Sequence, residues 1–285
     1  MIPLKDNLTS GPLPRVTILL IVLNLLVLGW QLTLSGNDSS SPELAADHVS
    51  KRDQAAIEFG AIPFRLTHPG SECGISSEGI VCGQDGLVEA GGTVGTAIPE
   101  NLTQPPWWLT PLTSMFLHAD VLHVAVTMLF LWIFGGAVEA LLGRARFLAL
   151  YLSAGYVAAY AQSFLDPAAT GPVIGAAGAV AGALGAYAVL RPRGRIVSLS
   201  LVPFFGGLFE VPAFALILAW FGLLLIPGVG NLASTDIASG GTAYFAHVGG
   251  FIFGAATVRL FARGRELSSS ADPPTAPGAV GVGAS

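Results

Sequence analysis

The stretch Ala246-His247-Val248-Gly249-Gly250-Phe251-Ile252-Phe253-Gly254 puts a histidine and a GxxxG pair, Gly250 and Gly254, inside one apolar run, 243–261. A run of that length can cross the hydrocarbon of a bilayer, which takes roughly 20 residues in a helix. An ionisable side chain is costly to place there, so a functional site is the default reading of His247. A histidine that merely hydrogen-bonds a neighbouring helix is the plainer alternative. On a helix Gly250 stands about one turn from His247. The run 175–178 (Gly-Ala-Ala-Gly), continued by Gly182 and Ala186, carries a second small-residue stripe at the same spacing. Two such faces allow close backbone approach, which would bring the start of the fourth apolar run within hydrogen-bond reach of His247. Packing alone is the competing reading of both stripes.

Working outward, the composition agrees with a membrane setting. Of 285 residues 52% are hydrophobic and 11% charged, against roughly 25% charged in soluble domains. No basic run suggests a nucleic-acid partner. The two cysteines, Cys73 and Cys82, share one hydrophilic segment and can pair if it is extracytoplasmic. Neither they nor the histidines make a metal signature. His118 and His123 are five apart, whereas two ligands on one helical face usually sit about four apart. No cofactor is expected.

Six apolar runs are long enough to be spans: 16–34, 112–134, 147–164, 173–190, 212–227 and 243–261. The first is read as a retained span and not a signal peptide, because no A-x-A pattern follows it closely. The shorter run 196–209 ends in an acid and a proline, Glu210 and Pro212, and is expected to be interfacial or re-entrant. Lys5, Arg15, Arg144, Arg146, Arg191, Arg193, Arg195, Arg259, Arg263 and Arg265 all fall on one side of a six-span chain; Lys51, Arg52 and Arg65 fall on the other. The positive-inside rule therefore puts both termini in the cytoplasm.

The expected organisation is a cytoplasmic segment (1–15), a first span (16–34), an extracytoplasmic loop (35–110), a core of five spans (111–264) and a disordered tail (265–285). Within the loop, the serine-rich piece 39–42 and the glycine-rich later part read as mobile. The piece 59–64 and the cysteines read as more ordered, and Trp107 and Trp108 as interfacial anchors.

Four motifs together resemble the rhomboid family of intramembrane serine proteases, over about 107–261. The run 116–123 (Phe-Leu-His-Ala-Asp-Val-Leu-His), with Thr127 and Met128 after it, resembles the pattern in which a His-x-x-x-Asn pair lines the active site. Gly175-Ala176-Ala177-Gly178 resembles the Gly-x-Ser-Gly nucleophile motif. Ala246-His247-Val248-Gly249-Gly250 with Gly254 resembles the motif of the general-base histidine. Residues 135–139 (Gly-Gly-Ala-Val-Glu) with Gly143 resemble the family's turn after span two. The resemblance implies an all-α membrane protein, a six-helix rhomboid-like bundle. It further implies a Ser–His dyad in a water-accessible cavity, with oxyanion donors from the serine's helix and from span two.

At two positions the pattern is departed from. Ala177 stands at the nucleophile's place and Thr127 at the asparagine's. His247 then occupies the general-base position, His123, Thr127, Gly175 and His118 line the site, and Gly178, Gly182, Gly250 and Gly254 pack it. A methyl group cannot form an acyl-enzyme, and Ser153 and Ser163 have no motif around them. Two readings follow. In one, the chain is an inactive rhomboid scaffold in a bilayer, binding transmembrane segments of client proteins. In the other, it is an active intramembrane serine endopeptidase in which Ala177 is an engineered replacement. A transporter is disfavoured, since no inverted repeat shows and Glu139 and Glu210 lie at span ends. The membrane expected is the plasma membrane of a bacterium.

Overall fold

A helix that is apolar all round has no face for water, and α8 (Ala177–Leu190) is buried at every residue from Ala177 to Tyr187. The structure, a computed structural model, describes residues 2–6, 13–34, 50–76, 79–84, 87–90, 93–96, 103–199, 208–231 and 244–264. Around α8 pack α7 (Arg144–Leu165) and α10 (Tyr244–Phe261). The contact with α10 is backbone to backbone. A Cβ at Gly250 would run into the carbonyl oxygen of Gly178, and one at Gly254 into that of Gly182. On the other side of α8, Ala158 and Ala154 of α7 meet Gly178 and Gly182. At the charged end of these helices Arg146 donates to the carbonyl of Arg263 at 3.1 Å.

The first helix, α1 (Arg15–Leu34), packs Leu20 and Leu28 into the core and is fixed at both ends by polar contacts. Its buried positions are Thr17, Leu20, Asn24, Leu28 and Gln31. Glu139 accepts from the amides of Val16 (3.0 Å) and Thr17 (2.8 Å) and from the Thr17 hydroxyl (2.8 Å). A carboxylate thus satisfies free N–H groups at the positive end of a helix. At the far end, Gln31 accepts from the His118 amide at 3.0 Å and donates to the His118 carbonyl at 3.2 Å.

Span two differs from its expected bounds. After α4 (Thr110–Thr113) and a 3-10 turn (Ser114–Phe116) the chain leaves the helix, and α5 starts only at Val121. The reason is local: Asp120 is extended, and its side chain accepts from the His123 amide at 2.7 Å, an N-cap. From there α5 (Val121–Phe130), a π-helical turn (Leu131–Gly135) and α6 (Gly136–Leu142) run on, so the glycines at 135 and 136 are helical and the turn falls at Gly143. Span four is shorter than the apolar run 173–190, because Val173 is paired with Ala61 and the helix starts at Ala177.

Among the described residues, Arg15–Leu34, Val121–Leu142, Arg144–Leu165 and Tyr244–Phe261 are long and apolar enough to cross a membrane. Ala177–Leu190 and Ala213–Gly222, the first part of α9 (Ala213–Asn231), are shorter apolar helices. The chain is mostly helical, as expected, with two small antiparallel sheets attached.

The two ends of the run 196–209, read as interfacial or re-entrant, lie in a sheet, and 200–207 lie outside the described residues. Here β6 (Arg195–Leu199) and β7 (Leu208–Pro212) pair with each other, and β1 (Ile2–Asp6) pairs with β6. The described ends of this run satisfy backbone groups by strand pairing, and one partner, β1, lies far off in the chain. The β1–β6 pairing puts the segment before α1 and the segment after α8 on one side.

The other sheet, β2 (Glu72–Ser76), β3 (Gly79–Gln84), β4 (Leu87–Ala90) and β5 (Thr93–Thr96), lies in the segment between the first helix and Thr110, here called loop one. It follows α2 (Lys51–Phe59) and α3 (Pro63–Thr67). Cys73 and Cys82 face each other across β2 and β3 and form a disulfide, so the ordered reading of this part of the loop holds. The serine-rich piece 39–42, much of the glycine-rich part and the tail 265–285 lie outside the described residues.

Candidate functional site

The start of α8 is shaped by Gly175. Its φ of +115° is a conformation that side chains rarely adopt, and its amide donates to the Ser114 carbonyl at 2.9 Å. A Cβ there would stand 3.1 Å from Cε1 and 3.4 Å from Nε2 of His123, so the His123 ring lies directly on this turn. The His118 ring meets the His123 ring edge to face, centroids 5.5 Å apart. His118 is fully buried, its Nδ1 3.2 Å from the Phe116 carbonyl.

Ala176 caps α8 without a side-chain hydrogen bond, and the first amide bonded inside the helix is that of Val180, to the Ala176 carbonyl at 2.9 Å. The amides of Ala177, Gly178 and Ala179 thus have no partner within the helix and carry its partial positive charge. Such an end can stabilise a developing oxyanion. Ala177 itself is the first helical residue, with only a methyl group to present.

His247 is buried on α10 and stands edge-on to Trp220 of α9, centroids 5.5 Å apart. The residue before it, Ala246, has its carbonyl 3.6 Å from where a Gly178 Cβ would be. Ala177 and His247 are therefore the chain neighbours of two residues in contact across the seam. Thr127 is buried on α5, one turn after His123. Of the other hydroxyls, Ser163 donates to the Ala159 carbonyl at 2.8 Å and Ser114 to the Pro111 carbonyl at 3.1 Å. Among the described residues no group of three or more His, Cys, Asp or Glu side chains comes together that could hold a metal.

Two residues at the edge of this site escaped the reading of the sequence. Gln31 grips both backbone groups of His118, and Arg52 of α2 donates to the carbonyls of His118 (3.2 Å) and Ala119 (2.6 Å). Gln31 had a signal: Thr17, Asn24 and Gln31 recur every seven residues in an apolar helix, the period of one face. Arg52 had none, since its partners are 66 and 67 residues away.

A family profile described as the Rhomboid domain matches residues 105–264, more than half of the chain. Presenilin-associated rhomboid-like protein A, mitochondrial, of Danio rerio is 38% identical over 104 residues, covering 35% of this chain and 27% of that relative. Rhomboid protein 1, mitochondrial, of Saccharomyces cerevisiae is 33% identical over 146 residues, covering 50% and 38%. Rhomboid protease GluP of Bacillus subtilis is 41% identical over 94 residues, covering 32% and 18%. The similarity thus spans well under half the length of these relatives.

Proposed function

The chain belongs to the rhomboid family, and from that premise we propose that it is a rhomboid scaffold that binds transmembrane segments of client membrane proteins without cutting them. It is an integral, multi-pass membrane protein. The observation that carries the proposal is the methyl group of Ala177 at the first position of α8, between the His123–Gly175 turn and the seam that holds His247. In this reading Ala177 stands where a nucleophilic serine would, His247 where its base would. His118, His123, Thr127 and Gly175 line the cavity, and Gly178, Gly182, Gly250 and Gly254 close the seam behind it.

The chemistry follows from the atoms. A carbon with three hydrogens has no lone pair to attack a carbonyl, so no acyl-enzyme forms. Donors alone leave only residual rate, several orders of magnitude below an intact dyad. What the reading leaves to the chain is binding of an apolar segment. The proposal includes six spans with both termini cytoplasmic, supported by the arginine distribution and by the β1–β6 pairing. It includes the division into 1–15, 16–34, 35–110, 111–264 and 265–285. A bacterial plasma membrane finds no support in the mitochondrial names of the first two relatives.

A second reading is favoured by the relative named a rhomboid protease: an active serine endopeptidase in which Ala177 replaces an original serine. A fluorophosphonate probe separates the two. The scaffold is expected to stay unlabelled and to co-purify with single-span membrane proteins from detergent extracts. Labelling of the chain as it stands, or failure to retain any client that active relatives retain, would overturn it.

A further inference from the structure

Loop one touches both walls of the proposed site. At the α5 wall, Arg52 holds the carbonyls of His118 and Ala119, and Thr113 donates to the Phe59 carbonyl at 2.6 Å. At the α8 wall, Ala61 and Val173 exchange both backbone hydrogen bonds (3.1 and 2.9 Å). The Phe64 amide donates to the Ala169 carbonyl at 3.0 Å, and the Thr67 hydroxyl to the Pro167 carbonyl at 3.1 Å. Thus α2 and α3 bridge the segment carrying the histidines and the segment that delivers Ala177.

This bridge is built round the disulfide. Its buried core is Ile57, Ile62, Cys73 and Cys82, with Phe64 and Ile80 against it. So small a core depends on a covalent staple. Gln104 fastens the hairpin to the rest: it accepts from the Cys73 amide at 3.1 Å and donates to the carbonyls of Cys73 (2.8 Å) and Ile57 (3.4 Å). Ile62 belongs to that core, and its chain neighbour Ala61, which pairs with Val173, packs with Leu66 and Ala159 in an adjoining cluster.

We propose that loop one is a disulfide-locked brace across the site, and that a dithiol reductant outside the membrane unlocks it. The inference rests on the site reading above for its functional meaning, but not for its geometry. Both cysteines are buried, Cys82 at 8% exposed and Cys73 at 0%, so the attacking thiolate enters as the hairpin opens locally and takes Cys82, the partner nearer the surface. The Cys73–Cys82 bond breaks, and the reductant's sulfur bonds to Cys82. The reductant's second thiolate then displaces Cys82 and closes its own disulfide. Two electrons and two protons pass to the cysteines. Unlocked, the hairpin lets go of α2 and α3, and the Val173 pairing that sets the approach to α8 is lost.

Hydrogen exchange on the full chain in lipid nanodiscs, oxidised and after dithiothreitol, tests this. Reduction is expected to speed exchange by about tenfold or more in 61–67 and 169–175, because opening a small staple frees a comparable stability. The interior of α7 should stay unchanged. Gln104→Leu, which keeps the disulfide, should move the same two segments by less. Faster exchange confined to 72–84, or no thiols released at Cys73 and Cys82 in the folded chain, overturns the proposal. A Cys73→Ser/Cys82→Ser variant that folds should match the reduced protein, and one behaving like the oxidised protein would also overturn it. Client capture is measured separately, so its failure would count against the scaffold reading and leave the brace standing.

Discussion

Helices α1 and α10 bury the same share of their apolar windows, 28% each, yet they are attached to the bundle by opposite means. α10 lies on α8 through glycine, with carbonyl oxygens where side chains would be. α1 is tied at its two ends by Glu139 and Gln31. Lipid tails are as apolar as a leucine face, so burial by itself drives neither contact. What remains is close packing in one case and hydrogen bonding in the other. The two fail differently when disturbed, since packing over a seam tolerates no added atom and a tie can be lost singly.

The largest effect is therefore expected at the seam. Gly254→Leu forces a side chain into the Gly182 carbonyl, and neither backbone can yield without moving a whole helix. A loss of about 3 kcal/mol or more is expected, at the top of the range for overpacking. Denaturation in mixed micelles reads it. A variant as stable as the parent would mean that α8 and α10 are not in backbone contact, and the comparison would collapse. Next comes Glu139→Ala, which strands two amides and a hydroxyl at the start of α1; about 2–3 kcal/mol is expected from losing bonds to a charged acceptor. Glu139→Gln keeps one acceptor oxygen and should cost visibly less. Equal losses for the two variants would show that the cap acts through charge alone.

This contrast also explains what could be read from the sequence. The seam was legible because its cause is periodic: Gly178 and Gly182, Gly250 and Gly254 repeat every four residues, and spacing survives in a linear string. So was the membrane class, whereas the place of His123 at the site was implied by the family resemblance alone. The ties were not legible, because Glu139 stands 122 residues from Thr17 and Gln31 stands 87 from His118. Pairing at that distance leaves no mark on local pattern. The same blindness hid the pairing of β6, whose partner β1 lies near the other end of the chain. It also put the start of span two too early, although Asp120 three residues before His123 carried an N-cap signal. Loop one was legible as two cysteines able to pair and a more ordered piece at 59–64; that it bridges two walls is tertiary.

A smaller effect is expected of Gln31→Leu. Two hydrogen bonds to the His118 backbone are lost, and in bilayers such bonds average about 0.6 kcal/mol each. A destabilisation of about 1 kcal/mol should appear, with faster exchange at the His118 amide. Because Arg52 also holds the His118 carbonyl, the segment should loosen without detaching. If it detaches, α1 is the main support of the histidine segment and loop one the minor one.

The smallest change in stability belongs to the substitution with the largest chemical meaning. Ala177→Ser adds one oxygen at the first turn of α8, where hydroxyls are well tolerated and the neighbouring amides lack partners in the helix. Stability is expected to stay within about 0.5 kcal/mol. If the rest of the site is intact, the variant should gain fluorophosphonate labelling and cut a permissive transmembrane substrate. Thr127→Asn on top of it should raise the rate further, through a longer donor beside His123. The seam would then be a rigid platform on which catalysis was lost by a single atom's absence. Labelling without cleavage would place the defect in the donors. A silent double variant would mean that His247, held against Trp220, is not placed to serve as a base.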